Sequence, residues 1–189
     1  MSNVLGILES SDSSGHLLRL IFEQIADRVA HRVEVLNSTG EKLAEFRSVE
    51  GTSADEWPAS PALQSCSFQE IRPGQTAAFL VGMSGKSHWS ASIEAISGRG
   101  ALDFDFACRV SQEPQWLGTT YAIDPLSPWS GTQFQLGPTG MALELAHASD
   151  KCVCEVSGKS LRFSCVQKAE KYPATIRWRY GIHLAAAIK

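Results

Sequence analysis

The chain has 189 residues, of which 43% are apolar and 20% are charged, and its formal net charge is −3 at pH 7. These values are typical of a globular protein, so we expect residues 1–189 to form one domain, with residues 1–14 as a loosely ordered N-terminus. The first sixteen residues lack the basic start of a secretory signal, and no apolar run reaches the length of a membrane span. We therefore predict a cytoplasmic protein that does not bind membranes.

Basic residues are concentrated towards the C-terminus, where eight of the 17 follow residue 150. They do not form a dense Arg/Lys cluster with surface aromatic residues, which is the pattern of a nucleic-acid interface. We therefore predict no nucleic-acid partner.

The first predicted element is a helix from about residue 15 to residue 30. Its apolar residues recur at helical spacing, and they are Leu17, Leu20, Ile21, Ile25 and Val29. Ser13 or Ser14 can cap its N-terminus. A hairpin follows, with its turn at residues 37–41.

The segment 51–65 contains two prolines, several turn-forming residues and no hydrophobic period. This composition predicts a long irregular loop, and such loops are often functional. Trp57 lies in this loop, and Trp116 and Trp129 lie in two later loops. We expect these tryptophans either to cover the core or to contact a protein partner.

The remaining chain is a series of short apolar segments separated by turn residues, which predicts strands joined mainly by hairpins. The predicted strands lie at residues 65–71, 76–82, 88–96, 102–110, 119–123, 133–136, 141–147, 152–156, 161–165 and 174–185. About ten antiparallel strands and one N-terminal helix predict a mainly β fold, or an α+β variant of it. We expect a barrel-like or strongly bent sheet, with a β-sandwich as the alternative.

The sequence Ser-Gly-Lys-Ser occurs twice, at residues 84–87 and 157–160. The second copy joins two alternating segments, which predicts a tight hairpin turn. A phosphate-binding P-loop needs four residues between its two glycines, but only two residues separate Gly82 from Gly85. We therefore predict that both copies are turns and that neither binds a nucleotide.

The five cysteines are odd in number and irregularly spaced, which argues against a disulfide framework. Cys152 and Cys154 share one face of a predicted strand, and Cys165 lies on its hairpin partner. A Cys-x-Cys pair alone is a weak zinc signal, whereas free cysteines are often buried. We predict reduced thiols, no metal and no cofactor, and we expect His31 and His147 to end the core rather than to bind metal.

Two predicted strands carry polar faces, which supply the main candidate site. The six residues, three on each strand, are Asp103, Asp105, Arg109, Arg177, Arg179 and His183. In an open sandwich both faces meet water, and a cross-strand pair contributes about 0.2–1 kcal/mol. In a closed barrel the same residues line a wet lumen that can hold an anionic small molecule, with the arginines as bidentate partners.

His88 and Trp89, beside the tight turn at Gly85, form a second candidate ligand contact. The sequence has no Gly-x-Ser-x-Gly elbow and no assignable pair of nucleophile and base. The preferred function is therefore a non-catalytic domain that binds a small molecule or a protein. The alternatives are an enzyme acting on an anionic small molecule inside a barrel, with Asp103 or Asp105 as acid or base, and a structural subunit of a complex or homo-oligomer.

Overall fold

A computed structural model describes residues 3–124, 129–130, 133–136, 141–146 and 151–186. These ranges contain fifteen strands and no helix, and therefore no helix able to cross a membrane. In chain order the strands are β1 (Asn3–Ser11), β2 (Leu17–Ile25), β3 (Arg28–Leu36), β4 (Lys42–Ser48), β5 (Ser65–Arg72), β6 (Gln75–Ser84), β7 (Ser87–Ile96), β8 (Ala101–Val110), β9 (Gly118–Asp124), β10 (Trp129–Ser130), β11 (Gln133–Gln135), β12 (Met141–Ala146), β13 (Cys152–Ser157), β14 (Ser160–Cys165) and β15 (Ala174–Ala186).

The strands form two antiparallel sheets. Sheet A has seven strands in the order β1-β2-β3-β4-β9-β14-β13, and sheet B has eight in the order β10-β11-β12-β15-β8-β7-β6-β5. Many neighbours are hairpin partners in the chain, but two strands insert between partners that are distant in sequence. These are β9, between β4 and β14, and β15, between β8 and β12.

The core lies between the two sheets, which pack face to face as in a β-sandwich. Tyr180 of sheet B stacks on Phe163 of sheet A with ring centres 3.8 Å apart. Both sheets contribute to one continuous hydrophobic cluster. Within the described ranges neither sheet closes on itself, because β1 and β13 are the edges of one and β10 and β5 the edges of the other. The predicted barrel-like closure is therefore wrong, and the sandwich alternative is compatible with the structure.

The predicted helix over residues 15–30 is also wrong, because β2 and β3 form a hairpin there. Leu18 and Phe22 face the core and are fully buried. The opposite face of β2 is covered as well, since Ile21 is 5% and Glu23 is 4% exposed. Burial on both faces removes the alternation of apolar and polar residues that identifies a half-buried strand. The apolar residues then match helical spacing without forming a helix.

Strand β1 occupies residues 3–11, where the sequence predicted a loosely ordered terminus. Ser10 ties this strand to sheet B, because its Oγ donates to the carbonyl of Ile96 and accepts from the N–H of Ala101. The count of about ten strands is too low, and β1, β2 and β10 are the strands that the sequence analysis did not identify.

Both Ser-Gly-Lys-Ser segments are hairpin turns, as predicted. In the first, Ser84 pairs with Ser87 across Gly85 and Lys86, and the second has the same register. Gly85 and Gly158 each have a φ of +56°, the sign that a type II′ turn requires at its first loop position. The strands on both sides continue the ladder, so no helix begins at either turn to receive a phosphate.

The predicted loop between β4 and β5 covers part of the core. Trp57 packs against the hydrophobic cluster from this loop. Trp116 is half-buried. The side chain of Trp129 and all of His147 lie outside the described part of the structure. Of the three loop tryptophans, Trp57 is thus one that covers the core.

Candidate functional site on the outer face of sheet B

The six residues of the predicted polar faces lie on the outer surface of sheet B, because β8 and β15 are neighbouring strands. The register places Arg179 opposite Asp105 and Arg177 opposite Ala107. The Arg177 and Arg179 side chains are 57% and 50% exposed. These faces therefore meet solvent, which is the first of the two arrangements expected from the sequence, and they do not line a lumen.

Asp105 lies between two arginines. Arg177 donates from Nε to Oδ1 at 2.7 Å and from Nη2 to Oδ2, and Arg179 donates from Nε to Oδ2 at 2.7 Å. Burial alone would raise the pKa of Asp105, but hydrogen bonds and charges from the two arginines outweigh it and hold the pKa below its usual value. Both arginines thus commit donors to this carboxylate.

A second pair lies two residues further along the strands. His183 Nε2 lies 3.3 Å from Asp103 Oδ1. The residue in register with Asp103 is Gly181. A Cβ at Gly181 would lie 2.5 Å from His183 Nε2, so the glycine leaves room for the histidine to approach the carboxylate.

A groove of about 610 Å³ lies at the other end of the same face. A row of paired residues crosses it from β6 to β15, and these are Met83, His88, Arg109 and Thr175. The next row adds Val81, Ser90 and Ala107. The volume lies in the range of about 300–1,000 Å³ that is usual for small-molecule sites.

Arg109 is the cation of this groove. It is exposed, and no other residue in the described ranges forms an ion pair or a hydrogen bond with its guanidinium, in contrast to Arg177. A guanidinium without a partner keeps its full set of donors for a carboxylate or phosphate. Val81 and Met83 lie on the other side of the groove and are 57% and 46% exposed. The groove thus combines a free cation with an apolar wall.

His88 lies directly opposite Arg109 and is exposed, so it lines the groove as the sequence suggested. Trp89, the next residue, points the other way and is 2% exposed. Its ring packs edge-to-face on Trp178 with ring centres 6.2 Å apart. Trp89 therefore borders the groove only from beneath, and its ring lies in the core.

The apolar wall of Val81 and Met83 was not predicted from the sequence. On β6, Ala78 and Leu80 face the core, whereas Phe79, Val81 and Met83 face outward. Because β6 carries apolar residues on both faces, its sequence does not show which face points to the core. Apolar residues on both faces are nevertheless a usable signal of an exposed apolar surface, since a solvent-facing strand face is more commonly polar.

A polar chain that the sequence did not predict crosses the interior of the sandwich. His31 Nε2 lies 2.7 Å from Tyr121 Oη, which lies 2.8 Å from Tyr180 Oη. All three side chains are buried. Burial lowers the pKa of His31 to about 4, so its ring is neutral at pH 7. The chain links sheet A to sheet B, and the expectation that His31 belongs to the core is confirmed.

Glu50 follows β4 at one end of the sandwich and also lies largely inside the fold. Its carboxylate accepts a hydrogen bond from Ser48 Oγ at 2.6 Å, and the same hydroxyl accepts from the His31 N–H at 2.9 Å. Burial raises the pKa of Glu50 to about 7, although the Ser48 hydrogen bond and the charge of Arg28 act in the opposite direction. Glu50 therefore titrates near neutral pH.

Among the residues with described positions, no three His, Cys, Asp or Glu side chains form a cluster that could hold a metal ion. The five cysteines are free. No protein-family model matches the chain, and no curated protein is similar to it.

Proposed function

We propose that this protein is a non-catalytic binding domain whose groove on sheet B takes an anionic ligand with an apolar body. The observation that carries the proposal is the free guanidinium of Arg109 facing the exposed Val81 and Met83. The guanidinium would bind a carboxylate or phosphate through paired N–H donors. Covering the apolar wall would contribute about 25 cal/mol per Å² removed from water.

Binding rather than catalysis is supported by the groove's own side chains. His88 forms no hydrogen bond to a hydroxyl or a carboxylate within the described part of the chain. A histidine that activates a nucleophile as a general base would need such a hydrogen bond. Asp105 and Asp103, the carboxylates that the sequence offered as acid or base, lie outside this groove, where Asp105 pairs with Arg177 and Asp103 contacts His183. We also propose a cytoplasmic location, which the five free cysteines support because reducing compartments maintain free thiols.

The proposal is tested by following backbone amide NMR signals during a titration with octanoate, whose carboxylate and alkyl chain match the two parts of the groove. We expect shifts at Val81, Met83, His88 and Arg109. Acetate lacks the apolar part and octanol lacks the charge, so each should bind at least about tenfold more weakly.

Two arginine variants on the same sheet face provide the matched comparison. Arg109→Ala should weaken octanoate binding about tenfold or more, because a hydrogen bond to a charged group contributes about 1.5–3 kcal/mol. Arg177→Ala should leave the affinity within about twofold, since Arg177 is committed to Asp105. Equal losses in the two variants, or shifts confined to another surface, would refute the proposal.

A further inference from the structure

Cys152 and Cys165 lie directly opposite each other on β13 and β14. The next position of the ladder is hydrogen-bonded, because Val166 donates to the carbonyl of Lys151. The N–H of Cys165 points away from β13 and donates to the carbonyl of Leu117. Hydrogen-bonded and non-hydrogen-bonded pairs alternate along an antiparallel ladder, so Cys152 and Cys165 form a non-hydrogen-bonded pair.

This kind of pair brings two Cα atoms to about 4.5 Å, with both side chains on the same face. A disulfide requires a Cα separation of about 4.4–6.8 Å. The register of Cys152 and Cys165 is therefore compatible with a disulfide. A separation typical of such pairs is at the short end of the range, where a disulfide is strained and readily reduced. Cys154 lies opposite Phe163 and has no cysteine across the ladder.

The two thiols differ in access. Cys165 is half-buried and lines a groove of about 370 Å³ together with Trp116, whereas Cys152 is only 4% exposed. Burial raises the pKa of both thiols, to about 12 for Cys152, while at Cys165 a backbone hydrogen bond from Gln167 and the charge of Lys151 oppose the increase. The raised pKa values slow the reaction of both thiols, and access sets their order: an oxidant meets Cys165 first, and Cys152 is positioned to resolve the product.

We propose that Cys152 and Cys165 form a reversible disulfide when the protein meets hydrogen peroxide. The Cys165 thiolate attacks one peroxide oxygen, the O–O bond breaks, and the departing hydroxide takes up the thiol proton as water, which leaves a sulfenic acid. The Cys152 sulfur then attacks the sulfenic sulfur, the S–O bond breaks and a second water leaves as the S–S bond forms. Two thiols are oxidised and one peroxide is reduced to two waters. Two molecules of a small thiol reverse the reaction and are themselves oxidised to a disulfide.

The link would act on an edge of the molecule. Strand β13 is the last strand of sheet A and is paired on one side only, with β14. A covalent bond between Cys152 and Cys165 prevents the start of β13 from separating from its neighbour. Oxidation therefore secures one edge of the sandwich without involving the sheet B groove.

The experiment treats the folded protein with hydrogen peroxide, blocks the remaining thiols in denaturant and maps the tryptic peptides by mass spectrometry. Cleavage at Lys and Arg releases residues 152–159 and residues 163–168 as separate peptides. We expect one species with the summed mass of the two peptides plus one blocking group on Cys154 minus two hydrogens, and this species should be absent when the oxidised protein is treated with glutathione before blocking. The free thiol count should fall from five to three.

Variants assign the link to one cysteine pair. Cys154→Ser should still form the linked peptide, and Cys165→Ser should not. Should a serine variant fail to fold, fragmentation of the wild-type linked peptide still distinguishes Cys152 from Cys154. A link through Cys154 would overturn the proposal, as would the absence of any link at a peroxide dose that oxidises the urea-unfolded protein.

Discussion

Gly82 shows how a single residue shapes the groove on sheet B. The backbone of the loop that precedes β5 lies directly over it, so that a Cβ at Gly82 would be 2.1 Å from the carbonyl oxygen of Ala62 and 2.8 Å from Cα of Leu63. Gln64 then fixes the loop to β6, since its side chain accepts from the N–H of Met83 and donates to the carbonyl of the same residue. The absence of a side chain at Gly82 is what permits this close approach.

We predict that Gly82→Ala destabilises the protein by about 2–3 kcal/mol, because the overlap involves backbone atoms and the loop must move. The measurement is urea unfolding of the variant together with the amide NMR signals of Met83 and Gln64, which should shift. Gly98→Ala is the control, since it has a φ of +73° and no atom within 4 Å of an added Cβ. That variant should cost about 1–2 kcal/mol of backbone strain and leave the groove signals unchanged.

The difference between Arg109 and Arg177 could not be predicted from the sequence. Each lies on the polar face of a strand, and their chemistry is identical. Strand register decides their roles, because it places Arg177 diagonally across from Asp105, within hydrogen-bonding reach, and places Arg109 between His88 and Thr175. A register is a property of paired strands, and alternation within one strand carries no information about it.

At the scale of elements, β15 is the clearest example of a strand whose two faces could be predicted. Ile176, Trp178, Tyr180 and Ile182 alternate with polar residues in the sequence, and all four are at most 1% exposed. Trp178 stacks on Phe106 with ring centres 5.5 Å apart. The polar face of the same strand meets solvent.

We predict that Trp178→Ala costs about 3–5 kcal/mol, because truncation of a buried aromatic side chain leaves a cavity. Arg177→Ala and Arg179→Ala should each cost no more than about 1 kcal/mol, since ion pairs of exposed arginines contribute little. Urea melts of the three variants measure these differences. Arginine variants as severe as the tryptophan variant would contradict the outward orientation of this face.

Trp178→Phe is an intermediate variant that separates the effect of lost side-chain volume on stability from the effect of the buried indole N–H. The indole N–H of Trp178 is buried and has no hydrogen-bond partner in the described structure. Phenylalanine removes this unsatisfied donor and leaves a smaller cavity than alanine. It should therefore be clearly less destabilising than Trp178→Ala.

The strands from β5 onward, apart from β10, could be predicted because turn residues separate them and at least one face alternates. The N-terminal third was the exception. In β2 both faces are buried, partly because Glu23 is covered through its ion pairs with Arg32 and Arg47. In the sequence, a charged residue that is buried on the outer face of a strand cannot be distinguished from a charged residue on the solvent-exposed side of a helix. The choice between barrel and sandwich depends on which strand pairs with which, and no local pattern encodes that.

At the scale of the whole molecule, Glu50 and His31 give the stability opposite dependences on pH. Burial raises the pKa of Glu50 from 4.5 to about 7, so the folded state binds its proton more tightly and this contribution to stability falls as the pH rises through that interval. Burial lowers the pKa of His31 from 6.5 to about 4, so its contribution is complete above pH 6.5 and is lost as the pH falls towards 4. Between pH 4.5 and 6.5 the two contributions largely cancel.

We predict that Glu50→Gln exposes the contribution of His31. The free energy of unfolding of this variant should rise with pH between about 4 and 6.5, by an amount of the order of 3 kcal/mol relative to the wild type, and then level off. Urea unfolding at half-unit pH steps provides the measurement. Glu113→Gln, at an exposed glutamate, should follow the wild-type profile. A Glu50→Gln profile parallel to that of the wild type would contradict the prediction.

The strand order of sheet B also sets the time course of folding. Strands β5 to β8 are consecutive in the chain and pair through short turns, whereas β15 reaches β8 only by bringing Ala174 to Val110. Pairing across such a distance forms slowly, because chain entropy is lost before contacts compensate for it. We expect pulsed hydrogen exchange during refolding to protect β6 and β7 before β15, and simultaneous protection would exclude this order. The groove on sheet B is then among the last features to form, since its far wall exists only once Thr175 lies beside Arg109.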